Sequence, residues 1–132
     1  DVRFFGIGSA RLASEIMGTE KERNVISLGG PCANRVSASL MGLEWPACGQ
    51  DSGIRPDTGV IRMHSNDGNI GIVAAGYDAM GTRAAARVLA DHEKYGLFGD
   101  NLQVDYTTFD DITLSSFEEP EAETLERAEE DE

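Results

Sequence analysis

Short apolar runs alternate with polar, glycine-rich stretches along the whole chain. Val2 to Ile7 (VRFFGI) reads as a short strand. Ser9 is placed to cap a following helix, in which Leu12, Ala13, Ile16 and Met17 form an apolar stripe that stops at Gly18. The charged segment GTEKERN then reads as a surface turn. Val25, Ile26 and Leu28 form the next strand, and Gly29 and Gly30 allow a tight turn. Pro31 suits the first position of a helix, where its missing N–H costs nothing. Cys32, Val36 and Leu40 share one face of that helix, and Gly42 ends it.

Asn69 to Tyr95 repeats this plan. In both units an apolar, β-branched run ends at glycine and passes into helix-patterned sequence, which is how a buried parallel strand feeds a crossover helix. Between them, Leu43 to Asp57 lacks periodicity and reads as a loop. Gly59 to Met63 and Asn69 to Ala75 flank HSNDG, whose Asp-Gly pair signals a hairpin and places His64 at its turn. Asp78 is a good N-cap for a helix that buries Met80, Ala84, Ala85, Val88 and Leu89 and leaves Arg83, Arg87 and Asp91 in solvent. Gln103 to Thr108 and Ile112 to Ser115 read as late, short strands.

These elements predict one α/β domain over residues 1–115, a three-layer sandwich around a mixed, mostly parallel sheet with one hairpin. Val2 to Ile7, Val25 to Leu28 and Asn69 to Ala75 are its expected parallel strands, joined by right-handed crossovers. The expected core is Val25, Ile26, Leu28, Ile70, Ile72, Val73, Val88 and Leu89. An Ile72→Ala truncation should then cost roughly 2–5 kcal/mol if that side chain is fully buried.

Charge separates the remaining residues, 116–132, as an acidic tail. The net charge is -13, and nine acids against one base lie after Ser115. This segment lacks the apolar face needed to order itself, so it reads as an assembly element held by a neighbour's basic surface or by divalent cations. Arg55, Arg62, Arg83 and Arg87 are the exposed cations expected to receive it. An acidic chain lacks the basic face that nucleic acid or anionic membrane demands. No apolar run approaches the roughly 18–20 residues of a membrane span. The chain opens at Asp1 without Met or a signal pattern, and so reads as a mature or excised piece. No N-glycosylation sequon is present.

Candidate chemistry is sparse. Gly6-Ile7-Gly8 follows a strand, but Arg11 stands where a dinucleotide fingerprint wants a small residue. His64 and His92 lie in different elements, and neither carries a local catalytic motif. No catalytic residue is assigned, and no cofactor is expected. Asp100, Asp105, Asp110 and Asp111 could attract Ca²⁺ at an acidic surface, though not with EF-hand spacing. Cys32 and Cys48 are the only cysteines, and an even count permits a disulfide in an extracellular protein; two buried free thiols are the alternative. Such a bridge would contribute on the order of 3 kcal/mol. Cys-x15-Cys lacks the close ligand pairs that structural zinc uses. A ligand-binding alternative rests on the glycine turns at the strand ends, where Gly29, Gly30, Asn34, Gly76 and Tyr77 could line a site.

Four segments together resemble the carboxyl-terminal domain of archaeal surface-layer (S-layer) proteins: VISLGGPCAN (Val25 to Asn34), GNIGIVAAGY (Gly68 to Tyr77), TRAAARVLA (Thr82 to Ala90) and DITLS (Asp111 to Ser115). They stand in the order expected of that family, and Cys32 and Cys48 occupy places where its cysteines often occur. Gly81 departs from the pattern, since an acid is usual there, and it should cost the helix some stability. The resemblance implies a structural protein of the extracellular cell surface with no catalytic residues. It would work as a subunit or domain of an ordered array or filament, in contact with itself or other surface proteins. An intracellular enzyme is the remaining rival.

Overall fold

The structure is a computed structural model that describes residues 9–97, 99–108 and 111–116. The expected strand at Val2 to Ile7 and the acidic tail beyond Ser116 lie outside the described residues. Among the described residues, five strands form one sheet in the order β1-β3-β2-β4-β5. They are β1 (Val25–Leu28), β2 (Thr58–Asn66), β3 (Asn69–Gly76), β4 (Asn101–Thr108) and β5 (Asp111–Ser116). The helices are α1 (Ala13–Ile16), α2 (Arg35–Met41), α3 (Ala79–Ala90) and α4 (His92–Tyr95), and a 3-10 turn covers Gly49–Ser52.

The β2–β3 hairpin organises the sheet. Asp67 and Gly68 both take positive φ, 53° and 86°, the backbone that a two-residue turn matched to strand twist requires. The ladder runs from Asn66↔Asn69 to Gly59↔Gly76. β1 lies parallel to β3 with Ile26 opposite Ile72, as the strand-glycine-helix plan predicts. β4 pairs antiparallel with β2, and β5 antiparallel with β4. The sheet is therefore mostly antiparallel, not mostly parallel. A two-residue turn reverses the chain, and the late strands add to the β2 side, so among the described strands only the β1–β3 pair keeps the parallel sense.

Alternation divides the side chains between two faces. Val60, Val73 and Ala75 meet Val36 and Leu40 of α2, with Ala13 and Ile16 of α1 and Ile54 packed alongside. On the other face Ile61, Ala74, Leu102 and Val104 meet Ala84, Ala85 and Val88 of α3. The expected single core is thus two clusters back to back. The three-layer sandwich is not formed, because each helix covers only part of its face. Beyond α3, Ile26, Leu28 and Ile70 remain 47%, 56% and 47% exposed, so they are not core residues. Ile72 is only half-buried, while Val73 is fully buried.

Local capping corrects other details. Leu12, not Ser9, precedes α1, which spans one turn; Leu12 and Met17 stay exposed. Pro31 sits in a turn ahead of α2, and Asn34 is the N-cap. Gly42 ends α2 in the left-handed conformation, as expected. Asp78 caps α3 by accepting from Gly81 N at 3.1 Å. Met80 is exposed, while Gly81, the next residue, is buried against the sheet. The charged segment before β1 is tied to the hairpin: Asn66 Nδ2 donates to Glu20 O (2.8 Å) and Arg23 O (3.0 Å), and Asn69 Nδ2 to Lys21 O (2.9 Å). These bonds deliver the chain to β1 in register.

Candidate functional site

The two parallel strands end side by side, and each glycine-rich turn there has a packing reason. Gly29 takes φ +125°, open to few residues other than glycine, and its N–H donates to Ala74 O at 2.9 Å. A side chain on Gly30 would press on Gly76 O at 3.0 Å. Gly76 lies against Gly81 and Thr82 N, and Gly81 against Gly76 and the Thr58 carbonyl, leaving no room for a Cβ on either. Asn34 closes the junction. Its Nδ2 donates to Leu28 O (2.9 Å), and its Oδ1 accepts from Val36 N (2.9 Å) and Ser37 N (3.2 Å). Ser37 adds a bond from its Oγ to Gly29 O (2.6 Å) and shares a 2.7 Å contact with Ser27 Oγ. Gly29, Gly30, Asn34 and Gly76 are thus brought together, and their polar groups are turned inward to fasten strand to helix. Tyr77 is half-exposed beside them, its N–H donating to Thr58 O at 3.2 Å. Neither of the two recesses described for this surface is lined by any of these five residues.

Cys32 and Cys48 form a disulfide, with Cα atoms 4.5 Å apart, that ties the turn before α2 to the long loop. Arg35 stacks over Trp45 at 4.1 Å from the ring centre, and Ala47 N donates to Pro31 O at 3.1 Å. The loop is therefore held at three points and carries Ile54 into the core. Among the described residues, no three His, Cys, Asp or Glu side chains gather to hold a metal. Asp110 lies outside the described residues.

A second polar feature was not foreseen. β2 is longer than its apolar run suggests and carries Arg62 and His64 on the α2 face, so His64 belongs to the strand and not to the turn. They line a recess of about 380 Å³ between the end of α2, the 3-10 turn and the start of β4. Arg62 is only 9% exposed and so is not one of the surface cations; Arg55, Arg83 and Arg87 are exposed as expected. Its Nε donates to Asn101 Oδ1 at 3.3 Å and its Nη2 to Gly53 O at 3.4 Å. His64 Nε2 is buried without a hydrogen-bond partner. Burial, and then the neighbouring Arg62 charge, hold the imidazole below its ordinary pKa of 6.5. The alternation Val60, Arg62, His64 was the available signal, since all three share the face of a buried valine.

The third feature is apolar. Ile26, Leu28, Ile70 and Met63 share the α3 face by register and stay exposed; they lie on β1, one edge of the described sheet, and on the next two strands, β3 and β2. The model of the S-layer like family, outer domain, matches residues 5–92, about two-thirds of the chain. The chain belongs to the S-layer like family. No curated protein and no solved structure matched it. The S-layer-like match covers β1 to α3, with the strand-end junction and the disulfide, and stops before β4; Asp111 to Ser115 therefore lie outside it. Membership in an S-layer-like family carries a structural role at the cell surface, a class that is not typically enzymatic. Among the described residues, no helix is long and apolar enough to cross a membrane.

Proposed function

We propose that this S-layer-like domain is a building block of an ordered surface array or extracellular filament, assembling with copies of itself. The family match carries the reading. The apolar strip of Ile26, Leu28, Ile70 and Met63 supports it, because contiguous exposed apolar surface on a soluble face marks a protein contact. The strip runs from β1, one edge of the described sheet, across β3 to β2. The acidic segment 116–132 is a second assembly element in this reading, engaging exposed arginines of a neighbour such as Arg83 and Arg87.

Negative-stain microscopy and sedimentation of the native material test the proposal, with Leu28→Glu as the probe. Leu28 is more than half exposed, so the charge should leave melting nearly unchanged while reducing assembly. A chain lacking residues 118–132 should likewise keep its fold and assemble less, and high salt should mimic that loss. Monomeric behaviour of the parent chain at high concentration, with no lattice or filament, would sink the reading.

A further inference from the structure

β1 has a second edge. Among the described residues it pairs only with β3. Alternate residues of a strand turn their backbone groups to opposite neighbours. Gly29 N–H donates to Ala74 O at 2.9 Å, so by register Ser27 and Val25 also address β3. Ile26 and Leu28 therefore point their backbone groups away from it. Leu28 O agrees, since it accepts from Asn34 Nδ2 at 2.9 Å and so closes the upper end of that edge. Below it the Leu28 N–H and both backbone groups of Ile26 face outward, flanked by apolar side chains. Such an edge is a template for another strand.

The path of the chain says which strand fits. Ala13 and Ile16 of α1 pack in the same cluster as Val36 and Leu40 of α2, so both helices lie on one face of the sheet. β1 reaches β3, its parallel neighbour, through a connection that carries α2 across that face. Crossovers share one hand. A parallel strand that enters β1 through α1, on the same face, must stand on the side of β1 away from β3. VRFFGI, residues 2–7, is the segment in that place. It is apolar in both alternations, Val2 with Phe4 and Phe5 with Ile7, as a parallel strand between two covered faces reads. Gly8 to Leu12 can span up to about 18 Å, several times the roughly 4.8 Å between neighbouring strands. The family match begins at residue 5, inside this segment.

We propose that residues 2–7 of the same chain occupy the outer edge of β1 as a further parallel strand, closing the sheet on that side. The pairing removes two hazards at once, an open edge and an aromatic-rich apolar segment. A strand added in the plane of the sheet borders Ile26 and Leu28 without covering them. In either register one phenylalanine, Phe4 or Phe5, then joins the apolar strip on the α3 face.

Amide hydrogen exchange of the full chain, read by NMR at a dilution where it is monomeric, tests this pairing. The Ile26 and Leu28 amides should exchange at least about tenfold more slowly than open amides. Removing residues 1–7 should release both, while Ser27 and Gly29, bonded to β3, stay protected. Should the shortened chain fail to fold, the full chain still decides, through cross-strand NOEs expected between the backbone of residues 3–6 and Ile26. Fast exchange at Ile26 and Leu28 in the full chain, or the absence of those NOEs, would overturn the proposal. So would protection that survives the truncation, which would assign the edge to another segment. Protection that appears only as concentration rises would assign it to a second copy, and overturns the proposal equally.

Discussion

At the scale of single residues, His64 is the most exacting position. Protonating it places a charge in a half-buried site beside Arg62, so the folded state resists the proton and its pKa falls below 6.5. A base with a depressed folded pKa contributes stability that is present above pH 6.5 and lost as pH falls through the folded value. Unfolding free energy should therefore decline on acidification from pH 7 to 5, and His64→Gln should flatten that part of the profile in urea melts. An unchanged profile would place the ring in solvent. Little of this was legible in the sequence. The Asp-Gly signal fixed the hairpin correctly but drew His64 toward the turn, because a two-residue turn leaves more of HSNDG in the strands than a five-residue loop does. Asn34, by contrast, was visible as a motif residue, and its work as a cap follows from its chemistry.

At the scale of elements, the departure at Gly81 reverses in meaning. By helix propensity alone, Gly81→Ala should gain about 1 kcal/mol. Yet a Cβ at position 81 would strike the Thr58 carbonyl and Gly76, which set how closely α3 sits on β2 and β3. Overpacking there costs roughly 1–3 kcal/mol, so the variant should melt lower than the parent. A higher melting temperature would show that α3 can move away at no cost. The strands β1 and β3 and the helices α2 and α3 were legible because each has clear periodicity and a capping or turn residue, whereas the 3-10 turn at Gly49–Ser52 lay in a stretch that reads as loop and α4 was not foreseen as a separate helix. Burial was less legible: Ile26, Leu28 and Ile70 have the same composition as core residues, and only the position of α3 decides that it covers Ala74 and not them. The same hydrophobic pattern thus serves a core and an uncovered face.

At the scale of the whole molecule, the sheet's parallel sense was misjudged because periodicity locates strands but does not order them. β4 and β5 join on the β2 side, a long-range choice with no local signal. The Cys32–Cys48 bridge spans 16 residues and pins the long loop over the α2 face, contributing about 3 kcal/mol to the fold as a whole. Denaturing mass analysis after alkylation should find no free thiol, and reduction should lower the urea midpoint; two alkylated cysteines in unreduced protein would contradict this. The β1–β3 pairing also sets a timetable. Val25 meets Gly71, 46 positions later (71 minus 25), whereas the β2–β3 hairpin closes across two residues. Hairpins form in roughly 1–10 μs, while distant pairing must first overcome loop closure. Local closure therefore favours the hairpin forming before β1 docks, and on a ribosome β1 waits with its pairing edge open and Val25 without its core neighbours until β3 has emerged.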